Sequence, residues 1–310
     1  MYTIEPNAET LHGYFSRERE PLLTIKSGEM LRYSCLDAAW NYYNEDLKDW
    51  VESPLKANDP LKGHAMCGPI AIEGAKKGRM LEVQIGNIVP EKRGWNRGGG
   101  ASGWELWERL GVTHEPPHKV LWDIDTDAGT AKNHLGHTVK IAPFMGVMGM
   151  PPDEAGNHST PPPRIWGGNI DCKLLTSGTS LFLPIPVDGG LFSVGDGHAA
   201  QGDGELSGTA IECPIKQLDL TFVVHEEMAL TVPRARIHGG WMTLGFNEDL
   251  DEAMYQAANA MLDFMMEDFN ISRKDALSLA SVVVDLHITQ VVNGVKGVQA
   301  ILMDDAIVTA

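Results

Sequence analysis

Between about residues 60 and 215 glycine and proline interrupt the chain every few residues, which rules out long helices across its middle half. Thirty-three glycines and 18 prolines occur in the whole sequence. The segments between the breaks have the character of strands. Leu81, Val83 and Ile85 alternate with Glu82, Gln84 and Gly86, the period-two pattern of a half-buried strand. Residues 138–142, 180–185, 191–194, 209–214, 218–224 and 228–232 read similarly. Many short strands separated by Gly/Pro turns predict a β-sandwich or barrel rather than a parallel α/β sheet.

Helices are expected near the ends. Residues 36–51 have a helical look, and 103–110 could form a short helix exposing Glu105 and Glu108. The clearest pattern spans 248–268: Asn247 is a candidate N-cap, and Leu250, Met254, Ala257, Met261 and Met265 follow one face. That methionine stripe reads as core. A second helix, 272–284, opens at Ser272 with Asp275 in a capping-box position, and its Ala276–Val284 run reads as largely buried. A terminal β-hairpin follows. The chain divides into a β-rich part, 1–165, and a motif-bearing part, 166–310, expected to form one compact unit. The proline-rich stretch 151–164 is an irregular loop of a length that tends to be functional.

Charge narrows the function classes. Twenty-five basic residues stand against 42 acidic ones, a formal net charge of −17. Phosphate backbones and anionic membranes are recognised mainly by Lys and Arg, so neither nucleic acid nor a membrane surface is an expected partner. The surplus permits cation binding, although solubility alone accounts for most of it. No apolar run approaches a membrane helix, and Met1-Tyr-Thr-Ile-Glu-Pro has no basic-then-apolar leader pattern. Cys35, Cys67, Cys172 and Cys213 show no CxxC spacing, so free thiols and a cytoplasmic location are expected.

The densest chemistry lies in Gly195-Asp-Gly-His-Ala-Ala-Gln-Gly-Asp-Gly-Glu205. Turns explain its glycines, and a polar hairpin is the plain reading. They do not explain Asp196 and His198 at i and i+2, which an extended backbone would point to one side. Upstream, Gly167-Gly-Asn-Ile-Asp171 offers a further carboxylate at Asp171 and an amide at Asn169. Asp171, Asp196 and His198 together supply oxygen, oxygen and nitrogen ligands, a set compatible with zinc and other divalent ions. Glu205 is the candidate base, Asn169 a substrate-orienting amide, and His64 a fourth ligand or a proton carrier. Cys67 or Cys172 as a nucleophile is the alternative enzyme reading, and a non-catalytic small-ligand or metal-binding protein the alternative outside enzymes.

Other patterns carry less. Gly98-Gly-Gly-Ala-Ser-Gly103 satisfies GxGxxG without the preceding apolar strand of a dinucleotide fingerprint. No GxSxG elbow or Walker A sequence occurs. His134-Leu-Gly-His137 lacks the glutamate of a zinc protease, so it reads as loop.

These motifs, taken in order, resemble the acetamidase/formamidase family. The matching segments are Gly68-Pro-Ile-Ala-Ile-Glu-Gly-Ala75, Pro143-Phe-Met-Gly-Val-Met-Gly149, Gly167-Gly-Asn-Ile-Asp171, the 195–205 stretch, and Asp285-Leu-His-Ile-Thr-Gln-Val-Val-Asn293. The resemblance implies hydrolysis of a short aliphatic amide on a mainly β, jelly-roll-like scaffold with α/β additions and C-terminal helices. It also implies a divalent metal, zinc foremost with calcium a candidate for an additional ion, and a homodimer or homotetramer. Asp171, Asp196, His198 and Glu205 match the family's acidic and histidine positions. Two departures bear on acyl-group preference: Arg79-Met80 stands where the family usually has Asp, and Cys67 where it often has threonine.

Overall fold

The computed structural model describes residues 2–308 apart from 101–103, 114–115, 117 and 227–229. Most of the strands enter two large sheets. The larger has nine strands in the order Tyr2–Ile4, Met30–Cys35, Ile215–His225, Met80–Pro90, Ser180–Pro184, Arg234–Ile237, Gly240–Asn247, Lys296–Met303 and Val284–Gln290. The second runs Gly167–Asn169, Phe144–Gly149, Phe192–His198, Met66–Ile72 and Leu11–His12, with Thr24–Ile25 also on Met66–Ile72. A four-stranded sheet contains Thr138–Lys140, Thr130–Asn133, His118–Asp125 and Arg93–Gly98. All pairings are antiparallel except Tyr2–Ile4 with Met30–Cys35 and Thr24–Ile25 with Met66–Ile72. The fold is mainly β with C-terminal helices, as the turn-rich sequence predicts.

Period-two patterning holds in the strand Met80–Pro90. Leu81, Val83 and Ile85 are buried beside Leu218, Leu220 and Phe222, and the same apolar cluster includes Ile70, Met145, Phe192 and Val194 from the second sheet. Phe192 and Phe222 meet edge to face at 5.0 Å, joining the two sheets. The strands Met66–Ile72, Phe144–Gly149 and Phe192–His198 are buried along their whole length, so they show no alternation. Here the sequence reading needs correction: the strand starting near 191 does not end at Val194 but continues through His198. Gly195 and Gly197 are strand positions rather than turn residues, and a Cβ at Gly197 would collide with the Ile215 side chain.

Three other segments depart from their sequence patterns. Residues 36–51 form no helix; Asn41–Asn44 and Asp49–Glu52 make a two-stranded hairpin. Aromatic, strand-favouring residues drive it: Tyr43 pairs with Trp50 and meets it edge-on at 5.9 Å. Its turn is closed by Asn44 Oδ1 accepting from the N–H groups of Asp46 and Leu47. Residues 209–214 are irregular and make only isolated bridges at Glu212, while 230–232, the described part of the 228–232 reading, are not strand. The short helix α1 does form, at Glu105–Arg109.

Helix α2 spans Leu250–Phe269 and lays Ala253, Ala257, Met261 and Met265 on the strands Gly240–Asn247 and Lys296–Met303. The methionine stripe is core. Its N-cap is Asp249, which accepts from Asp251 N–H at 2.8 Å and Glu252 N–H at 3.1 Å; Asn247 instead accepts from Asp249 N–H. Helix α3, Arg273–Val283, is capped by Ser272 as expected. It is less buried than its composition implies: Ala276 is buried, but Leu277 and Val282 are 59% and 81% exposed. The hairpin Val284–Gln290 with Lys296–Met303 closes the chain's ordered end. Among the described residues no helix is long and apolar enough to cross a membrane.

Candidate active site

Five buried groups converge at one end of the second sheet. Asp171, Asp196 and His198 bring one ligand atom each to within 4.8 Å of one another, and His198, Glu205 and Glu212 do the same. His198 Nε2 lies 3.0 Å from Asp196 Oδ1 and 3.2 Å from Glu212 Oε2. The residues are 1–7% exposed, so these charges are out of water. Asp171 Oδ1, Glu205 Oε2, Glu212 Oε2, His198 Nδ1 and Asn169 Oδ1 are buried without a hydrogen-bond partner. Uncompensated buried carboxylates are expensive, and a donor set of carboxylate oxygens with one imidazole suits zinc and other divalent ions. The residues therefore fit such an ion: Asp171, Asp196 and His198 could hold it, with Glu212 and Glu205 alongside.

The backbone is shaped around this cluster. Among the described residues eight non-glycines have positive φ, and three of them are Asp171 (51°), Asp196 (61°) and Glu205 (49°). Left-handed conformations of this kind concentrate at functional sites, where surrounding structure holds them. Asp196 and His198 thus converge through a kink at Asp196, not through the extended geometry anticipated from their spacing. Asp171 is fixed by Gly146 O, which accepts from the N–H groups of Ile170 and Asp171. Asn293 Nδ2 donates to Asp171 Oδ2 at 2.6 Å, and Gln201 Nε2 donates to Asp171 O at 2.8 Å. Gly146 also leaves room: a Cβ there would collide with Asp196 Oδ2 and stand 2.6 Å from Asp171 Oδ1. Gly204, next to Glu205, is tied to the strand Val284–Gln290 through the carbonyl of Thr289.

Burial and mutual charge set the protonation of the cluster. Burial, reinforced by Asp196, pushes the Asp171 carboxyl up to about 6. Burial likewise raises Glu212 to about 7 and holds Glu205 well above the usual carboxylate range. Burial alone would raise Asp196, but His198 outweighs it and holds that carboxyl low. Burial would lower His198, yet Asp196 and Glu212 hold the imidazolium well above its ordinary range. The pair Asp196–His198 is the charged one, and the other three acids compete for protons.

The cluster forms the floor of a pocket of about 340 Å³, whose walls include His64, Trp95, Arg97, Pro161, Asn169 and Thr209. Of the residues expected to form the site, His64, Asn169, Asp171, Asp196 and Glu205 line this pocket, and His198 joins them through Asp196 and Glu212. His64 stands outside both ligand triads. Its Nδ1 is 2.7 Å from Thr160 Oγ1, in the proline-rich loop, and its charge bears on both Asp171 and Asp196. None of the four buried cysteines lines the pocket. Cys172 Sγ is engaged with Gln299 Oε1 at 3.1 Å and its thiol is pushed up to about 12 by burial, which leaves no nucleophile there. Asp203 pairs with Lys173 at 3.0 Å away from the cluster.

Three site residues went unread: Glu212, Gly146 and Asn293. Glu212 carried a signal, a lone acid in the apolar run Thr209–Pro214. It is turned inward by reciprocal backbone bonds with Trp95, at 2.9 and 2.8 Å, and by its Oε1 accepting from Ala210 N–H.

Comparison with known proteins identifies the family. The model of the Acetamidase/Formamidase family matches residues 3–159 and 154–236. An acetamidase from Mycolicibacterium smegmatis is 25% identical over 248 residues, covering 59% of this chain and 58% of that protein. A formamidase from Methylophilus methylotrophus is 27% identical over 246 residues, covering 64% and 60%. The chain thus spans about three fifths of the length of these relatives. Similar solved structures include an acetamidase from Bacillus halodurans (TM-score 0.82, 27% identity, 97% of each chain). Another is a predicted acetamidase/formamidase from Thermoanaerobacter tengcongensis (TM-score 0.81, 27% identity, 98% of this chain and 95% of that one). With three quarters of its length matched in order by the family model, and the fold shared end to end, the chain belongs to the acetamidase/formamidase family.

Proposed function

We propose that the protein hydrolyses the C–N bond of a short amide, giving a carboxylate and ammonia, with a divalent cation, zinc foremost, held by the buried cluster. The observation that carries this reading is the convergence of four buried carboxylates and an imidazole beneath a pocket, with Asp171 Oδ1, Glu205 Oε2, Glu212 Oε2 and His198 Nδ1 left without hydrogen-bond partners. Bound there, a divalent cation supplies Lewis acidity toward an amide carbonyl and toward water.

The chain's own residues do the rest. Glu205, on its left-handed backbone, presents Oε2 without a competing hydrogen bond. As the oxygen of water bonds to the carbonyl carbon, Glu205 accepts the proton, and it returns that proton to nitrogen as the C–N bond breaks. Asn169, buried in the wall with a free Oδ1, accepts from the amide N–H₂ and orients the substrate. His64, held through Nδ1 by Thr160, presents its other ring nitrogen as a proton carrier between pocket and solvent.

Glu205→Gln tests the assignment. Removing a positioned acid–base group lowers the rate about 100-fold or more. Ammonia release from formamide and acetamide is therefore expected to collapse while bound metal stays near the parent level. Undiminished turnover would remove Glu205 from this role.

A further inference from the structure

The floor of the pocket is acidic, but its mouth is not. Arg97, Lys62 and Lys56 line the same cavity nearer the solvent. Lys56 is engaged, donating to Glu52 Oε1 at 2.6 Å and Ala39 O at 3.1 Å. Arg97 is not: among the described residues its guanidinium has no hydrogen-bond or ion-pair partner, and its Nε is buried and unpaired. Its Cζ stands over the Trp107 ring, 5.1 Å from the centroid, while the Arg97 backbone N–H donates to Thr209 Oγ1. Lys62 has no ion-pair partner among the described residues either, and its left-handed backbone (φ 51°) sets it at the rim.

These cations do not serve to neutralise the floor. The charges that weigh most on Asp171, Asp196, Glu205 and Glu212 are one another, His198 and His64; Arg97, Lys56 and Lys62 are not among them. The half-buried Arg97 has an Nε that finds no acceptor, and a planar fork packed on an aromatic ring matches a carboxylate. Size points the same way. A cavity of about 340 Å³ has room for about ten water-sized groups at roughly 30 Å³ each. Acetamide has about four heavy atoms by simple formula and would leave most of that space to water.

We propose that the preferred substrate carries a carboxylate on its acyl side, received by Arg97 with Lys62 beside it, so that the protein acts on the monoamides of short dicarboxylic acids. This rests on the hydrolytic reading of the floor. Water cleaves the C–N bond at the amide end, giving the dicarboxylate and ammonia, while the distal carboxylate is bound unchanged.

The test compares isosteric pairs that differ in charge: malonamate, succinamate and glutaramate against their neutral diamides. A charge-assisted bidentate contact favours the anionic member by about 10- to 100-fold in kcat/KM for the length that fits. That preference is expected to fall with added salt in the parent protein. Arg97→Gln is expected to reduce the anion-to-diamide ratio by about tenfold or more, with part of it regained in Arg97→Lys. Binding of succinate measured by calorimetry gives a readout independent of turnover, and should weaken in parallel. Equal turnover of monoamide and diamide, or a ratio unmoved by Arg97→Gln, overturns the proposal and leaves amide hydrolysis standing. If no amide is cleaved but succinate binds in an Arg97-dependent way, the hydrolytic reading fails and the anion subsite stands.

Discussion

A missing methyl group at residue 146 is what lets two carboxylates share one space. A Cβ there would displace Asp196 Oδ2 and crowd Asp171 Oδ1 without removing either ligand. Gly146→Ala is therefore expected to fold and to lose metal affinity by about 10- to 100-fold, the range seen when the supports of ligands are disturbed. Elemental analysis of the purified variant against the parent checks this, and full metal content would contradict the shared-space account. Asp171, Asp196, His198 and Glu205 were legible in the sequence because acids and a histidine stood out among glycines that turns alone explain. Gly146, Glu212 and Asn293 were not. Glycine beside glycine carries no mark of which Cβ is forbidden, and Asn293 meets Asp171 only because the terminal hairpin packs beside the 195–205 stretch. Nor does spacing disclose that the Nε of Arg97 is buried without a hydrogen-bond partner.

At the level of elements, the long strand Ile215–His225 is tied to Met30–Cys35 by a cross-strand ion pair. Arg32 and Asp219 sit directly opposite in register, with Nε to Oδ1 at 2.7 Å and Nη2 to Oδ2 at 2.9 Å. The Arg32 hydrogen bond holds the Asp219 carboxyl below the usual carboxylate range. A depressed pKa contributes stability above the unfolded value of about 4 and loses it as pH falls through the folded value. Asp219→Asn should accordingly melt below the parent at neutral pH, with the gap closing in acid below about pH 4. Melting curves across pH read this out; a gap that persists or widens in acid would assign the loss to packing instead. Period-two strands such as Met80–Pro90 were readable because one face is half solvated. The buried strand Phe192–His198 was read short because it has cover on both faces and the glycines that permit this look like turns. The 36–51 segment misled in the opposite sense: its helical spacing is overridden by cross-strand aromatic pairing.

Across the whole molecule the net charge of −17 says little about function, since most of the carboxylates are solvated or paired at the surface. What matters is where a few of them are desolvated together, and how far apart in the chain they originate. Asp171, Asp196, His198, Glu205 and Glu212 lie close in sequence, yet Asn293 and the Thr289 carbonyl reach them from the last hairpin, and Trp95 and Arg97 from the four-stranded sheet. The fold is thus the means by which one buried cluster and one pocket are assembled from segments far apart in the chain. The account stands most directly on ammonia release from short amides by protein stripped of metal and then resupplied with zinc. It predicts that stripping lowers the rate by about 100-fold or more, the scale of a lost Lewis acid, and that zinc restores it. Amide hydrolysis at the full rate by protein verified to be metal-free would contradict it.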